Sequence, residues 1–93
     1  MLEGKPLQWN SEKNLQLQQE RGISFEMVAQ IIEESGFLEI IPHPNQEKYP
    51  SQEMLVIQIN GYVYLVPYVE ADDYYFLKTI FPSRKMTKKY LGK

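Results

Sequence analysis

Several residue types that support familiar chemistry are missing or scarce in this chain. There is no cysteine, which excludes disulfide bonds and cysteine-based metal sites. His43 is the single histidine, so most metal-site designs lack ligands, and we expect no metal or other cofactor. No apolar run is long enough to cross a membrane, and the first residues form no apolar signal region. These absences favour a cytoplasmic protein.

Length and composition indicate one globular domain that spans residues 1–93. Hydrophobic residues make up 43% of the chain and aromatic residues 13%, which is ample for a core and argues against disorder.

Charge is divided sharply along the chain. The net charge of −2 combines about −8 up to Asp73 with +6 after it, because every charged residue beyond Asp73 is basic. A basic end on an acidic domain raises the question of which anion it meets. The phosphates of a nucleic acid are one candidate, and an acidic protein is another.

The local signals predict two helices followed by a β-meander. Asn10 or Ser11 can cap a first helix that Gly22 ends, and Ser24 can cap a second that ends at Gly36. A strand over 37–41 precedes the strands 54–59 and 62–69. The Asn60-Gly61 turn joins those two strands as a type I′ hairpin. A third meander strand, 74–81, precedes a basic helix capped by Ser83, and Pro67 predicts a bulge or an unpaired position.

The predicted fold class is α+β, with two N-terminal helices on one face of an antiparallel sheet of about four strands and a short basic C-terminal helix. Alternation along the strands assigns an aliphatic set to the helix side and a tyrosine-rich set to the other, assuming no bulge. The aliphatic set is Leu55, Ile57, Ile59, Val63, Leu65, Val69, Leu77 and Phe81. The opposite set is Val56, Gln58, Tyr62, Tyr64, Tyr68, Tyr74, Phe76 and Lys78.

Three features carry possible chemistry, and each has a plain structural alternative. The cations Lys78, Arg84, Lys85, Lys88 and Lys89 suit phosphate binding, or they form a solvated helix end that complements the helix dipole. The tyrosine-rich face can stack on RNA bases, or it forms a second hydrophobic layer. His43 lies between two prolines, either as a general base or as an exposed loop residue without a role.

Two short motifs resemble the BrnT toxins. Trp9-Asn10-x-x-Lys13 followed by Arg21-Gly22-Ile23-Ser24-Phe25-Glu26 is similar to the opening of that family, although many members have histidine where Arg21 stands. Ser83-Arg84-Lys85-Met86-Thr87-Lys88 is similar to its closing S-A-R-K-A-T-K run. The resemblance implies a RelE-like fold and the toxin of a bacterial type II toxin–antitoxin pair. Such a toxin cleaves RNA without a metal, and a cognate antitoxin, of ribbon-helix-helix type in BrnA–BrnT pairs, covers its active surface.

Carried over by position, the resemblance implies that Lys13, Arg21, Arg84 and Lys85 are catalytic, with Tyr90 as an additional candidate. We expect the ribose 2′-OH to attack the adjacent phosphate while Arg84 stabilises the developing charge and Lys85 or Lys13 assists proton transfer. The expected RNA contacts are Lys78, Lys88, Lys89, Tyr64, Tyr68 and Tyr90. The alternative is a non-catalytic module that binds protein or RNA through the basic helix and the tyrosine-rich face.

Overall fold

The computed structural model describes residues 4–34, 36–50 and 52–92. Within these ranges no helix is long and apolar enough to cross a membrane. The helices and strands follow in the order β1 (Leu7–Gln8), α1 (Ser11–Arg21), α2 (Phe25–Glu33), β2 (Glu39–Pro42), β3 (Glu53–Ile59), β4 (Tyr62–Glu70), β5 (Tyr75–Leu77), β6 (Phe81–Pro82) and α3 (Arg84–Leu91).

The helices begin where their capping residues predict. The Asn10 side chain accepts a hydrogen bond from the Lys13 amide at 2.9 Å, which makes Asn10 rather than Ser11 the cap of α1. Ser24 and Ser83 cap α2 and α3 in the same way. Gly22 ends α1 with a φ of 67°, a conformation that glycine adopts without strain.

The α+β class is confirmed, but the sheet is larger than predicted and of mixed direction. It has six strands in the order β1-β5-β4-β3-β2, with β6 also paired to β4. The pairing of β1 with β5 is parallel, and the other pairings are antiparallel. The strand β1 is two residues long, too short to show an alternating pattern in the sequence, and β5 and β6 replace the single predicted strand 74–81.

The hairpin turn corrects the predicted faces of β4. Asn60 and Gly61 both have positive φ, and the two-residue turn places Ile59 directly opposite Tyr62. Directly opposite residues lie on the same face of a sheet, so Tyr62 and Tyr64 lie on the side of Ile59. The prediction that Val63 and Leu65 lie on the helix side with Ile59 is therefore wrong.

Each face of the sheet has its own hydrophobic core. The α1–α2 pair covers one face, and α3 covers part of the other. The buried residues on the α1–α2 side are Leu17, Ile23, Phe25, Val28, Ile32, Leu55, Ile57, Ile59, Val66, Tyr68, Tyr75, Leu77 and Ile80. Those on the α3 side are Met54, Val56, Val63, Leu65 and Met86, with Ile41, Phe81, Tyr90 and Leu91 packed against them.

The predicted irregularity at Pro67 is a bulge in the facing chain. Between the pairs Tyr68–Leu77 and Leu65–Phe81, two residues of β4 face the three residues 78–80. The extra residue separates β5 from β6. It also shifts by one residue the alternation of side chains between the two faces of the sheet. Phe81 therefore lies on the α3 side, and its predicted place beside Leu77 is wrong.

Candidate functional site

The N-terminal half of α3 is fixed to the sheet by one threonine. Thr87 is 2% exposed, and its Oγ1 accepts a hydrogen bond from the Val63 amide at 2.9 Å. The same hydroxyl donates to the Ser83 carbonyl at 2.7 Å. Because one hydroxyl joins the helix to β4, the basic residues beside Thr87 are held at a defined place on the sheet.

The C-terminal half of α3 reaches the edge strand β2. The Tyr90 hydroxyl donates to the Glu39 carboxylate at 2.5 Å, and Lys89 Nζ lies 3.6 Å from the same oxygen. The hydrogen bond to Glu39 raises the pKa of the Tyr90 hydroxyl. Tyr90 was predicted to contact RNA, but the structure engages its hydroxyl in attaching α3 to β2.

The outer surface of α3 carries four cations. Arg84, Lys85, Lys88 and Lys89 are all exposed. Within the described ranges, only Lys89 of these four has an ion-pair partner. Arginine and lysine side chains without an acidic neighbour attract phosphate groups, so this surface suits a polyanion.

The sheet separates the predicted catalytic residues. Lys13 and Arg21 belong to α1, whose buried Leu17 packs on the face opposite to α3. The structure therefore does not bring these two residues together with Arg84 and Lys85. Sequence spacing could not reveal this separation, because it depends on which face of the sheet each helix covers.

The tyrosines predicted to stack on RNA bases lie largely inside the protein. Tyr68 is 4% exposed, and its hydroxyl donates to Glu53 at 2.9 Å. Burial, with the hydrogen bond to Glu53, raises the pKa of Tyr68 far above its ordinary value. Tyr64 is half-buried against the core on the α1–α2 side. Tyr68 has no free ring face for a base, because the register set by the hairpin turn places it on the α1–α2 side of β4, in the core.

A pocket of about 220 Å³ lies at the bulge, on the same face of the sheet as α3. Phe81 lines it and also packs against the α3-side core, while Pro67 lies directly opposite Met54 of that core. The bulge exposes Lys78 at the rim, so this predicted RNA contact lies beside a cavity. The lining residues are His43, Tyr49, Gln52, Pro67, Lys78, Thr79 and Phe81.

Two aromatic rings and Lys78 form one wall of the pocket, and Lys48 lies outside it. The His43 and Tyr49 rings lie 4.4 Å apart between centroids, tilted by 39°. Lys78 Nζ lies 5.3 Å from the centre of the Tyr49 ring, and Lys48 Nζ lies 5.4 Å from it. This wall combines flat apolar surface with positive charge.

The loop around His43 also fixes the tautomer of its ring. His43 Nδ1 accepts a hydrogen bond from the Asn45 amide at 3.1 Å. A neutral imidazole that accepts at Nδ1 carries its proton on Nε2, so in this state the ring offers a donor rather than a base.

Sequence reasoning missed Tyr49, Gln52 and Thr79 as site residues. Tyr49 and Gln52 are close in the chain but Thr79 is far from them, and strand pairing together with the bulge brings them together. Pro67 was the available signal, since a proline within a strand marks a bulge and bulges are frequent beside functional sites.

A second, more open cavity of about 360 Å³ lies between β1 and α2, on the side of the sheet opposite α3. Trp9 lines it and stacks on Phe25 with ring centroids 5.6 Å apart. Lys5 at its rim is paired with Glu70 at 2.6 Å. None of the residues predicted for catalysis or RNA binding lines this cavity.

No group of three histidine, aspartate or glutamate side chains in the described ranges lies close enough together to hold a metal ion. Comparison of the chain with known protein families, with curated proteins and with solved structures gave no match.

Proposed function

We propose that this chain is a metal-independent endoribonuclease, the toxin of a type II toxin–antitoxin pair that acts in the cytoplasm. One observation carries the proposal: the exposed cations of α3 share a sheet face with a pocket that Lys78 and His43 line. The BrnT resemblance supports it, because the motif residues Arg84 and Lys85 are among those exposed cations.

The proposed reaction requires only groups of the RNA and the protein. The ribose 2′-oxygen forms a bond to the adjacent phosphorus, and the bond from phosphorus to the 5′-oxygen breaks. The 2′-OH loses a proton and the leaving 5′-oxygen gains one, which leaves a 2′,3′-cyclic phosphate and a 5′-OH. Arg84 stabilises the negative charge that develops on the phosphoryl oxygens, and Lys85 holds the flanking phosphate or supplies the proton.

The proposed partner is an antitoxin that covers α3. A protein that inhibits the chain would present acidic side chains to Arg84, Lys85 and Lys88, which are exposed and lack ion pairs within the described ranges. The alternative, a non-catalytic interaction module, keeps the exposed basic helix but loses Tyr68 from its binding face. It relied on an open tyrosine-rich face, and Tyr68 is buried.

Matched arginine variants test the location of the site. Arg84→Ala should lower the rate of RNA cleavage by on the order of two to four decades, because it removes the group that stabilises developing charge. Arg21→Ala removes the same side chain from the opposite layer and should leave the rate unchanged. Single-turnover cleavage of a defined RNA in EDTA measures both. Equal losses in both variants would place the site elsewhere, and full activity of Arg84→Ala would refute the assignment.

A further inference from the structure

One residue that lines the pocket at the bulge has a buried polar atom without a partner. Gln52 Oε1 is buried and accepts no hydrogen bond from any described residue. Buried acceptors without a donor destabilise a folded protein, so each one calls for a physical explanation. Gln52 lines the pocket, so a turn of its side-chain amide toward the cavity would bring this acceptor to a donor group on a bound molecule.

The surroundings of this acceptor define the shape of the ligand. The His43 and Tyr49 rings, which lie against each other, present aromatic surface to the pocket, and Lys78 places a positive charge at the rim. A volume of about 220 Å³ lies below the roughly 300 Å³ where drug-sized ligand sites begin. The pocket therefore suits one flat polar ring, with any attached phosphate outside near Lys78.

We propose that this pocket binds a single unpaired nucleobase of the RNA, whose amino or imino N–H donates to Gln52 Oε1. The inference rests on the proposed function and adds a base-recognition site to it. Single-stranded RNA is commonly held by aromatic stacking together with hydrogen bonds to base edges. A peptide amide could also donate a hydrogen bond to Gln52, but it would not use the aromatic rings. These rings and the position on the α3 face therefore favour a base.

Mononucleotide binding tests the pocket without requiring cleavage. We would titrate the wild-type chain with adenosine, cytidine, guanosine and uridine 5′-monophosphates and follow its amide signals by NMR. At least one nucleotide should produce saturable shifts of the Gln52 side-chain amide and of the backbone amides of Lys78 and Thr79. No shift at these positions with any of the four would overturn the proposal, even if a peptide from an antitoxin bound there.

Two glutamine variants distinguish the loss of a contact to the nucleotide from a nonspecific effect of replacing glutamine with leucine. Gln52→Leu removes the acceptor and should weaken the preferred nucleotide by about tenfold or more, the loss expected for one buried hydrogen bond. Gln19→Leu makes the same change on the exposed surface of α1 and should leave the affinity unchanged. Wild-type affinity in Gln52→Leu would contradict the proposal.

Thermal unfolding shows whether weaker binding by Gln52→Leu results from a damaged fold. Because Gln52→Leu removes an unsatisfied buried acceptor, its Tm should equal or exceed that of the wild type. A lower Tm would show that Gln52 supports the free fold, which overturns the premise of an unpaired acceptor.

Two lysine variants locate the phosphate. Lys78→Met should weaken binding of the 5′-monophosphate but not of the uncharged nucleoside, because Lys78 lines the rim of the pocket. Lys48→Met removes a charge that also lies over Tyr49 but does not line the pocket, and should change neither affinity. Equal effects of the two variants would contradict the phosphate position.

The two proposals fail separately. Nucleotide binding at Gln52 without RNA cleavage would refute the ribonuclease and retain the base pocket. Cleavage whose base preference is identical in wild type and Gln52→Leu would retain the ribonuclease and refute the pocket.

Discussion

Asn14 is the residue that joins the two N-terminal helices. It is 6% exposed, its Oδ1 accepts from the Phe25 amide at 2.7 Å, and its Nδ2 donates to Glu26 at 2.8 Å. The first bond satisfies a free amide at the start of α2, and the second holds the pKa of the Glu26 carboxyl below its ordinary value. One polar side chain thus sets the geometry of the layer beneath the sheet.

Asn14→Leu should lower the free energy of unfolding by on the order of 2–3 kcal/mol, because it leaves the buried Phe25 amide without a partner. Urea unfolding of this variant and of the surface control Gln19→Leu measures the difference. A loss confined to a few tenths of a kcal/mol would contradict this role of Asn14.

The Asn14–Glu26 bond also predicts a pH dependence. The folded-state pKa of Glu26 is lowered, so its contribution is present above the unfolded pKa of about 4.3 and is lost as pH falls through the folded pKa. The stability gap between wild type and Asn14→Leu should therefore narrow in acid. Urea unfolding of both proteins at neutral pH and at about pH 3 tests this. A stability gap that widens in acid would contradict a lowered pKa of Glu26.

At the scale of the elements, the position of α3 depends on its attachment to β4 through Thr87. Thr87→Val keeps the shape of the side chain but leaves the buried Val63 amide unpaired, and should destabilise the protein by about 1–3 kcal/mol. Thr87→Ser retains the hydroxyl and is the matched control. Hydrogen exchange at the Val63 amide should accelerate in the valine variant alone. Equal exchange in both variants would show that α3 is held by other contacts.

The sequence predicted the starts of the helices and the hairpin turn correctly, but it misplaced several strand residues on the wrong face of the sheet. The caps Asn10, Ser24 and Ser83 and the Asn60-Gly61 turn act within a few residues, so local chemistry determines them. The predicted Asn60-Gly61 turn already sets Ile59 opposite Tyr62, so the face of β4 was predictable and was assigned wrongly. The face of β6 depends on the bulge, which shifts the alternation by one residue. The assumption of no bulge was therefore enough to misplace Phe81.

In the candidate site, too, features set by local sequence were predicted and features set by distant contacts were not. The exposed cations Arg84 and Lys85 lie where a basic amphipathic helix predicts them, because local spacing decides which side of α3 faces solvent. The separation of Lys13 from this helix, the burial of Tyr68 and the pocket around Gln52 arise from contacts between distant segments. No local pattern in a single sequence encodes those contacts.

At the scale of the whole molecule, charge is distributed between layers. The helices α1 and α2 carry four glutamates against Lys13 and Arg21, whereas α3 carries four cations and no acid. A polyanion approaching this chain is repelled from one layer and attracted to the other, which favours its approach to the α3 face. The fold thus converts the charge division along the chain into two oppositely charged surfaces.

The reaction proposed for this charged face is cleavage of RNA by attack of the 2′-OH. Its most direct test is to incubate the wild-type chain with a defined RNA in EDTA and to identify the ends of the products. We expect 2′,3′-cyclic phosphate and 5′-hydroxyl ends, formed by the wild type and absent with Arg84→Ala. Intact RNA, or the same products at equal rates in both preparations, would contradict the claim.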